Sequence, residues 1–82
     1  MPHWRLRGSV EPGMFTNERV FMVKDHAGNT YAVTVPSDFV DEADGTVRVR
    51  LIRKESDVSL VSVLGESASK TVSVNNSQLV EA

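Results

Sequence analysis

The chain contains no cysteine. That excludes a disulfide framework and any thiolate metal site. A chain of 82 residues buries only roughly 60–65% of the surface its unfolded form exposes, so a hydrophobic core, or a partner subunit, must hold the fold. A secreted domain of this size usually carries cysteines, and their absence favours a reducing, cytoplasmic setting. Histidine is scarce too: His3 and His26 are too few for a zinc site unless carboxylates complete it. No run approaches the ~18–20 continuous apolar residues of a membrane helix. Met1–Gly8 has some positive charge but no apolar stretch behind it, unlike a signal peptide. Neither sign of charge dominates, with 9 Lys and Arg against 11 Asp and Glu, which counts against a dedicated nucleic-acid binder. The glycines stand singly, so neither nucleotide-binding fingerprint is present.

What fills the chain instead is short alternation of apolar and polar residues: Trp4-Arg5-Leu6-Arg7, Tyr31-Ala32-Val33-Thr34-Val35, Val47-Arg48-Val49-Arg50-Leu51 and Thr71-Val72-Ser73-Val74. A period of two puts every second side chain on one face of a strand. The first strand is expected over residues 3–10, with Trp4, Leu6 and Val10 facing inward, and Glu11-Pro12-Gly13 ends it. Arg19–Lys24, apolar on both faces around Val20–Val23, reads as a central strand, linked through Asp25–Asn29 to the strand Thr30–Val35. Pro36 stops that strand. Ser37–Ala43 suits a short helical or 3₁₀ turn with Ser37 as its N-cap. Strands Thr46–Arg53 and Val58–Leu64 follow, joined by the polar loop Lys54–Asp57, then Thr71–Val74, a turn at Asn75–Ser77 and a closing strand Gln78–Val80.

Val33–Ala43 and Val72–Ala82 echo each other: strand, polar turn, apolar pair, acid. Both segments are far shorter than known repeats, so convergence of two strand ends on similar turns is the simpler account than a duplicated half-domain. The second segment, with strand Val72–Val74, turn Asn75–Ser77 and closing strand Gln78–Val80, resembles the ending of SH3-like barrels. The resemblance implies a small barrel, as does the need to remove exposed strand edges. It does not carry over peptide specificity, because the tyrosine-rich first loop and tandem tryptophan of the peptide-binding SH3 domains are missing. The glycine-spaced motif of KOW modules and the aromatic motifs of cold-shock domains are missing too. The fold expected is therefore all-β: one domain over residues 1–82, an SH3-like (alternatively OB-like) barrel of five to six short antiparallel strands with one or two 3₁₀ turns.

Candidate site residues follow from the outward faces. Arg48 and Arg50 project from one side of their strand, with Arg53 and Lys54 beyond, and Arg5 and Arg7 repeat the spacing on the first strand. If those strands are neighbours, their guanidinium groups form a basic stripe able to hold phosphates, with Trp4 or Tyr31 available to stack on bases. The competing account is a solvated face paired with Glu18, Glu55, Asp57 or Glu66, and the interleaved acids favour it. Asp38, Asp41, Glu42 and Asp44 lack the ligand spacing of an EF-hand loop and read as a solvated turn. Gly65–Ser69 resembles the start of a nucleophile elbow, but the second glycine and the following helix are absent.

These readings lead to a cytoplasmic, non-catalytic interaction module with a protein partner, needing no metal and no cofactor and having no membrane segment. The residues expected to carry binding are Trp4, Arg5, Arg7, Tyr31, Arg48 and Arg50. An RNA- or DNA-associated barrel using the same arginines is the alternative, and monomer and homodimer are both left open.

Overall fold

A computed structural model describes residues 4–65 and 68–81. The chain there is all-β and antiparallel, without an α-helix. Its strands are β1 (Trp4–Arg7), β2 (Ser9–Pro12), β3 (Glu18–Lys24), β4 (Thr30–Pro36), β5 (Val40–Asp41), β6 (Thr46–Lys54), β7 (Val58–Val63), β8 (Lys70–Asn75) and β9 (Leu79–Glu81). Two 3₁₀ turns, Ser37–Phe39 and Asn76–Gln78, lead into β5 and β9. One sheet runs β8-β7-β6-β1-β9, with β5 also on β6; the other is β2-β3-β4. The two sheets are not closed into a barrel. There are nine strands among the described residues where five or six were expected. Gly8 divides the first run in two, and β5 and β9 are short strands of their own beyond the 3₁₀ turns.

Alternation puts the inward side chains between the sheets. Leu6, Phe21, Val23, Val33, Val35, Val47, Val49, Val61, Val63, Val72 and Val74 form one buried cluster, with Trp4, Val10, Tyr31, Phe39, Val40, Leu51 and Leu79 packed around it. The first run breaks at Gly8 for a steric reason. A Cβ there would lie 2.5 Å from the Phe21 ring and 2.5 Å from the Met22 carbonyl oxygen, so the backbone can come this close only without a side chain. The Gly8 N–H donates to the Gly45 carbonyl (3.0 Å) as the chain passes from one sheet to the other. Pro36, not Ser37, occupies the N-cap of the first 3₁₀ turn, and no side chain caps it. The Ser37 N–H instead donates to the Asn17 carbonyl (2.9 Å).

The echo between residues 33–43 and 72–82 is part of something larger. β3 pairs with β4 as β7 pairs with β8: Phe21 faces Val33, and Val61 faces Val72. β5 lies on β6 through Val40 and Val47, while β9 lies on β1 through Leu79 and Leu6. β1 and β6 then pair with each other, Leu6 opposite Val47. The ladders of residues 5–41 thus recur over residues 46–80, related by a pseudo-two-fold between Leu6 and Val47. The backbone repeats even in the turns: Ser37 donates to Asn17, and its counterpart Asn76 donates to Asp57, both at 2.9 Å. This corrects the simpler account of two convergent strand ends. Ten of the eleven core residues fall into corresponding pairs. The eleventh, Val49, corresponds to Gly8, and there the larger Phe21 ring (against Val61 in the other half) fills the space that the glycine leaves.

Candidate interaction face

β1 and β6 are neighbours, as the basic stripe requires, and their register places Arg5 opposite Arg48 and Arg7 opposite Thr46. Leu6, Val47 and Val49 occupy the buried side of these strands, so the intervening arginines stand on the outer side. Arg50 continues the row along β6, opposite Ser62 of β7. Arg5, Arg7, Arg48 and Arg50 therefore share one face.

Like charges directly opposite each other are unfavourable, and two contacts position this pair. The Arg5 Nε donates to Thr46 Oγ1 (2.8 Å), and its terminal nitrogen reaches the Phe39 and Thr46 carbonyls at 3.4 Å. Thr46, only 3% exposed, has its hydroxyl satisfied in this way. The Arg48 guanidinium lies over the Phe39 ring, 5.3 Å from its centroid, a cation–π placement. Two of the expected carboxylate partners, Glu18 and Glu55, are engaged elsewhere. Among the described residues the ion pairs within 4 Å are Arg19–Glu42 at 2.6 Å and Arg53–Glu55 at 3.8 Å. The Glu18 carboxylate accepts from the Met14 and Phe15 amides (3.1 and 3.3 Å), and Glu66 lies outside the described residues. The four arginines of the face thus have no ion-pair partner among the described residues.

Trp4 and Tyr31 do not join them. Trp4 lies opposite Val49 on the core side of β1, with the Lys54 ammonium 5.1 Å from its ring centroid. Tyr31 lies opposite Val23 on the core side of β4, in the other sheet. Lys70 sits 4.7 Å from the Tyr31 ring centroid, and the Tyr31 hydroxyl donates to Asp25 Oδ2 (3.3 Å). The negative charge of Asp25 raises the Tyr31 pKa above the ordinary phenol value. Amide donation from Asn29, then its side chain and Ala27, holds the Asp25 carboxyl below the usual carboxylate range, against a partial desolvation that works the other way.

Acids border the face instead of covering it. Asp38, Asp41 and Glu42 line a groove of about 350 Å³ with Arg5 and Arg19. Asp44 lies with Arg5, Arg7, Thr46 and Val80 along another of about 340 Å³. His26 is exposed in the β3–β4 turn, while His3, Glu66 and Ser67 fall outside the described residues. No three His, Asp or Glu side chains gather among the described residues as a metal site would need, and no helix there is long and apolar enough to cross a membrane.

Sequence reasoning missed Thr46 and Phe39 as the groups that position Arg5 and Arg48. Nothing short of the strand register could have found Thr46. It also missed the β2–β3 loop, where Met14 and Phe15 are 87% and 63% exposed; adjacent large apolar residues beyond a Pro-Gly turn were the available signal. The corresponding β6–β7 loop is shorter and polar. Comparison with protein-family models, with curated proteins and with solved structures found no match to this chain.

Proposed function

We propose that this chain is a cytoplasmic, non-catalytic interaction module, built on an SH3-like (or OB-like) arrangement of strands, that holds a protein partner through the outer face of β1 and β6. The observation that carries this reading is the row of arginines without carboxylate partners among the described residues. Partly ordered guanidinium groups without ion-pair partners among the described residues suit an acidic protein surface, to which arginine offers bidentate hydrogen bonds. A protein partner is preferred over nucleic acid for two reasons. The aromatics that would stack on bases, Trp4 and Tyr31, stand on the core side of their strands, and a non-specific single-strand binder combines a basic groove with such platforms. Acids border the arginines and the net charge is −2, which repels a phosphate polymer charged at every nucleotide more than a protein segment carrying a few carboxylates.

The reading is tested by titrating the full chain, at low salt, with polyglutamate and with single- and double-stranded oligonucleotides while following the arginine Nε–H signals by NMR. Saturable movement with polyglutamate, lost in Arg48→Ala plus Arg50→Ala, is the expected result. Movement with the oligonucleotides alone would replace the protein partner by nucleic acid.

A further inference from the structure

We infer that the segment read by this face is an extended peptide with acidic side chains at every second position, lying along β1 and β6. The inference rests on the arginine face being the partner-binding face and goes further by fixing the partner's periodicity. Arg5 and Arg7 are two residues apart on one strand, and so are Arg48 and Arg50 on the next. At a strand rise of ~3.4 Å per residue, each row repeats its positive charge every ~6.8 Å. An extended peptide with acids at alternate positions has the same repeat, and all its carboxylates point the same way. A contiguous acidic block of equal charge sends half of them away from the sheet.

The two rows lie side by side, a strand spacing of ~4.8 Å apart, in the register that sets Arg5 against Arg48. A single segment lying between them is reached from both rows, so one carboxylate can be gripped by two guanidinium groups. Arg5 is already tied to Thr46 and the Phe39 carbonyl, and Arg48 already lies on the Phe39 ring. Less side-chain freedom is lost on binding than for free surface arginines. Flanking charge limits the length of the acidic stretch. Asp41 lies opposite Thr46, at the end of β6 where the arginine row begins, and Asp44 lies beside Arg7. The other end of β6 carries Arg50 and, beyond it, Arg53 in its ion pair with Glu55. The segment places its acids toward Arg50 and an uncharged or basic residue near Asp41.

The test compares two capped heptapeptides of identical composition against the full chain: alternating Ser-Glu-Ser-Glu-Ser-Glu-Ser and blocked Ser-Ser-Glu-Glu-Glu-Ser-Ser. Affinity is read by NMR titration at low salt, with inorganic phosphate and oligothymidine as further arms. The alternating peptide is expected to bind up to about five-fold more tightly, the gain from the one additional carboxylate that faces the sheet. Arg48→Ala plus Arg50→Ala, with an unchanged circular dichroism spectrum, is expected to erase that difference. Equal affinity for the two peptides would overturn the periodicity while leaving an acidic protein partner in place. Binding of oligothymidine or phosphate in preference to both peptides, or of no probe at all, would overturn the partner class as well.

Discussion

Asp25 shows how a single side chain can hold a turn. One carboxylate oxygen accepts from the Ala27 and Asn29 amides (3.0 and 2.8 Å), and the other from the Asn29 side chain and the Tyr31 hydroxyl (both 3.3 Å). Gly28, in the left-handed region at φ 91°, lets the chain double back within that ring of donors. The charged form of Asp25 is the one these donors favour. Its contribution to stability is therefore complete above the usual carboxylate range and lost as pH falls through the lowered native value. Tyr31 has the opposite sign: its neutral form is favoured, and that preference is lost as pH rises through the raised native value. Because Tyr31 is the single tyrosine, an absorbance titration reads it directly. Its midpoint is expected above the ordinary phenol value and should move back down in Asp25→Asn. A midpoint unmoved by that substitution would mean that desolvation, not Asp25, raises the phenol. At this scale the turn chemistry of Asp25–Asn29 was legible, because those residue types bond their own backbone. The crowding at Gly8 was not, since it depends on a ring that arrives from β3.

Among the elements, the second 3₁₀ turn does more than change the chain's direction. The Gln78 side chain accepts from the Asn75 amide (3.0 Å) and donates to the Lys24 carbonyl at the end of β3 (2.9 Å). Asn76 donates to the Glu55 and Ser56 carbonyls (2.8 and 3.0 Å) and accepts from the buried Ser59 hydroxyl. One asparagine thus ties the β6–β7 loop, the floor of β7 and the turn together. Asn76→Ala leaves the Ser59 hydroxyl without its acceptor and is expected to cost about 2 kcal/mol, a fall in Tm of roughly 8–16 °C for a chain of this size. Ser77→Ala, at the exposed neighbour, should change Tm little. Equal falls in the two variants would deny the network its role. The strands themselves were legible because alternation is a local property of the sequence. The bulge that shifts the β6–β7 register between Leu51 and Arg53 was not, because two consecutive residues facing one partner leave no trace in a period of two. The arginine row was legible as residues spaced two apart. That it lacks carboxylates among the described residues was not, because Glu18 and Glu55 sit near it in sequence and are taken by other groups in space.

Over the whole molecule, the two halves exchange their last strands: β5 completes the second half and β9 the first. Asp41 and Thr46, which face each other, are joined through residues 42–45; Val80 and Arg5, their counterparts, face each other in the same way. A circular permutant that opens the chain within residues 42–45 and joins Glu81 to Trp4 by a short turn keeps Trp4 against the core and reproduces the same connectivity in the other order. It should fold to the same ladders, seen as matching NOE patterns across β1 and β6, with Tm within a few degrees of the parent. A permutant that stays unfolded would show that the halves are not interchangeable. The sequence displayed only the last eleven residues of this symmetry, in the echo of 33–43 and 72–82. The remainder lies in pairing partners, and two valine-rich halves with different outward residues look unrelated until their registers are compared.

Trp4 and Glu81 are direct neighbours in the β1–β9 ladder, so the two ends of the described chain leave the molecule at one place. A pull applied through both ends loads the first rung alone and opens the ladder one pair at a time, instead of shearing every rung at once. Held between two tethers, this domain is a zipper, and it will yield at low force however well its interior is packed.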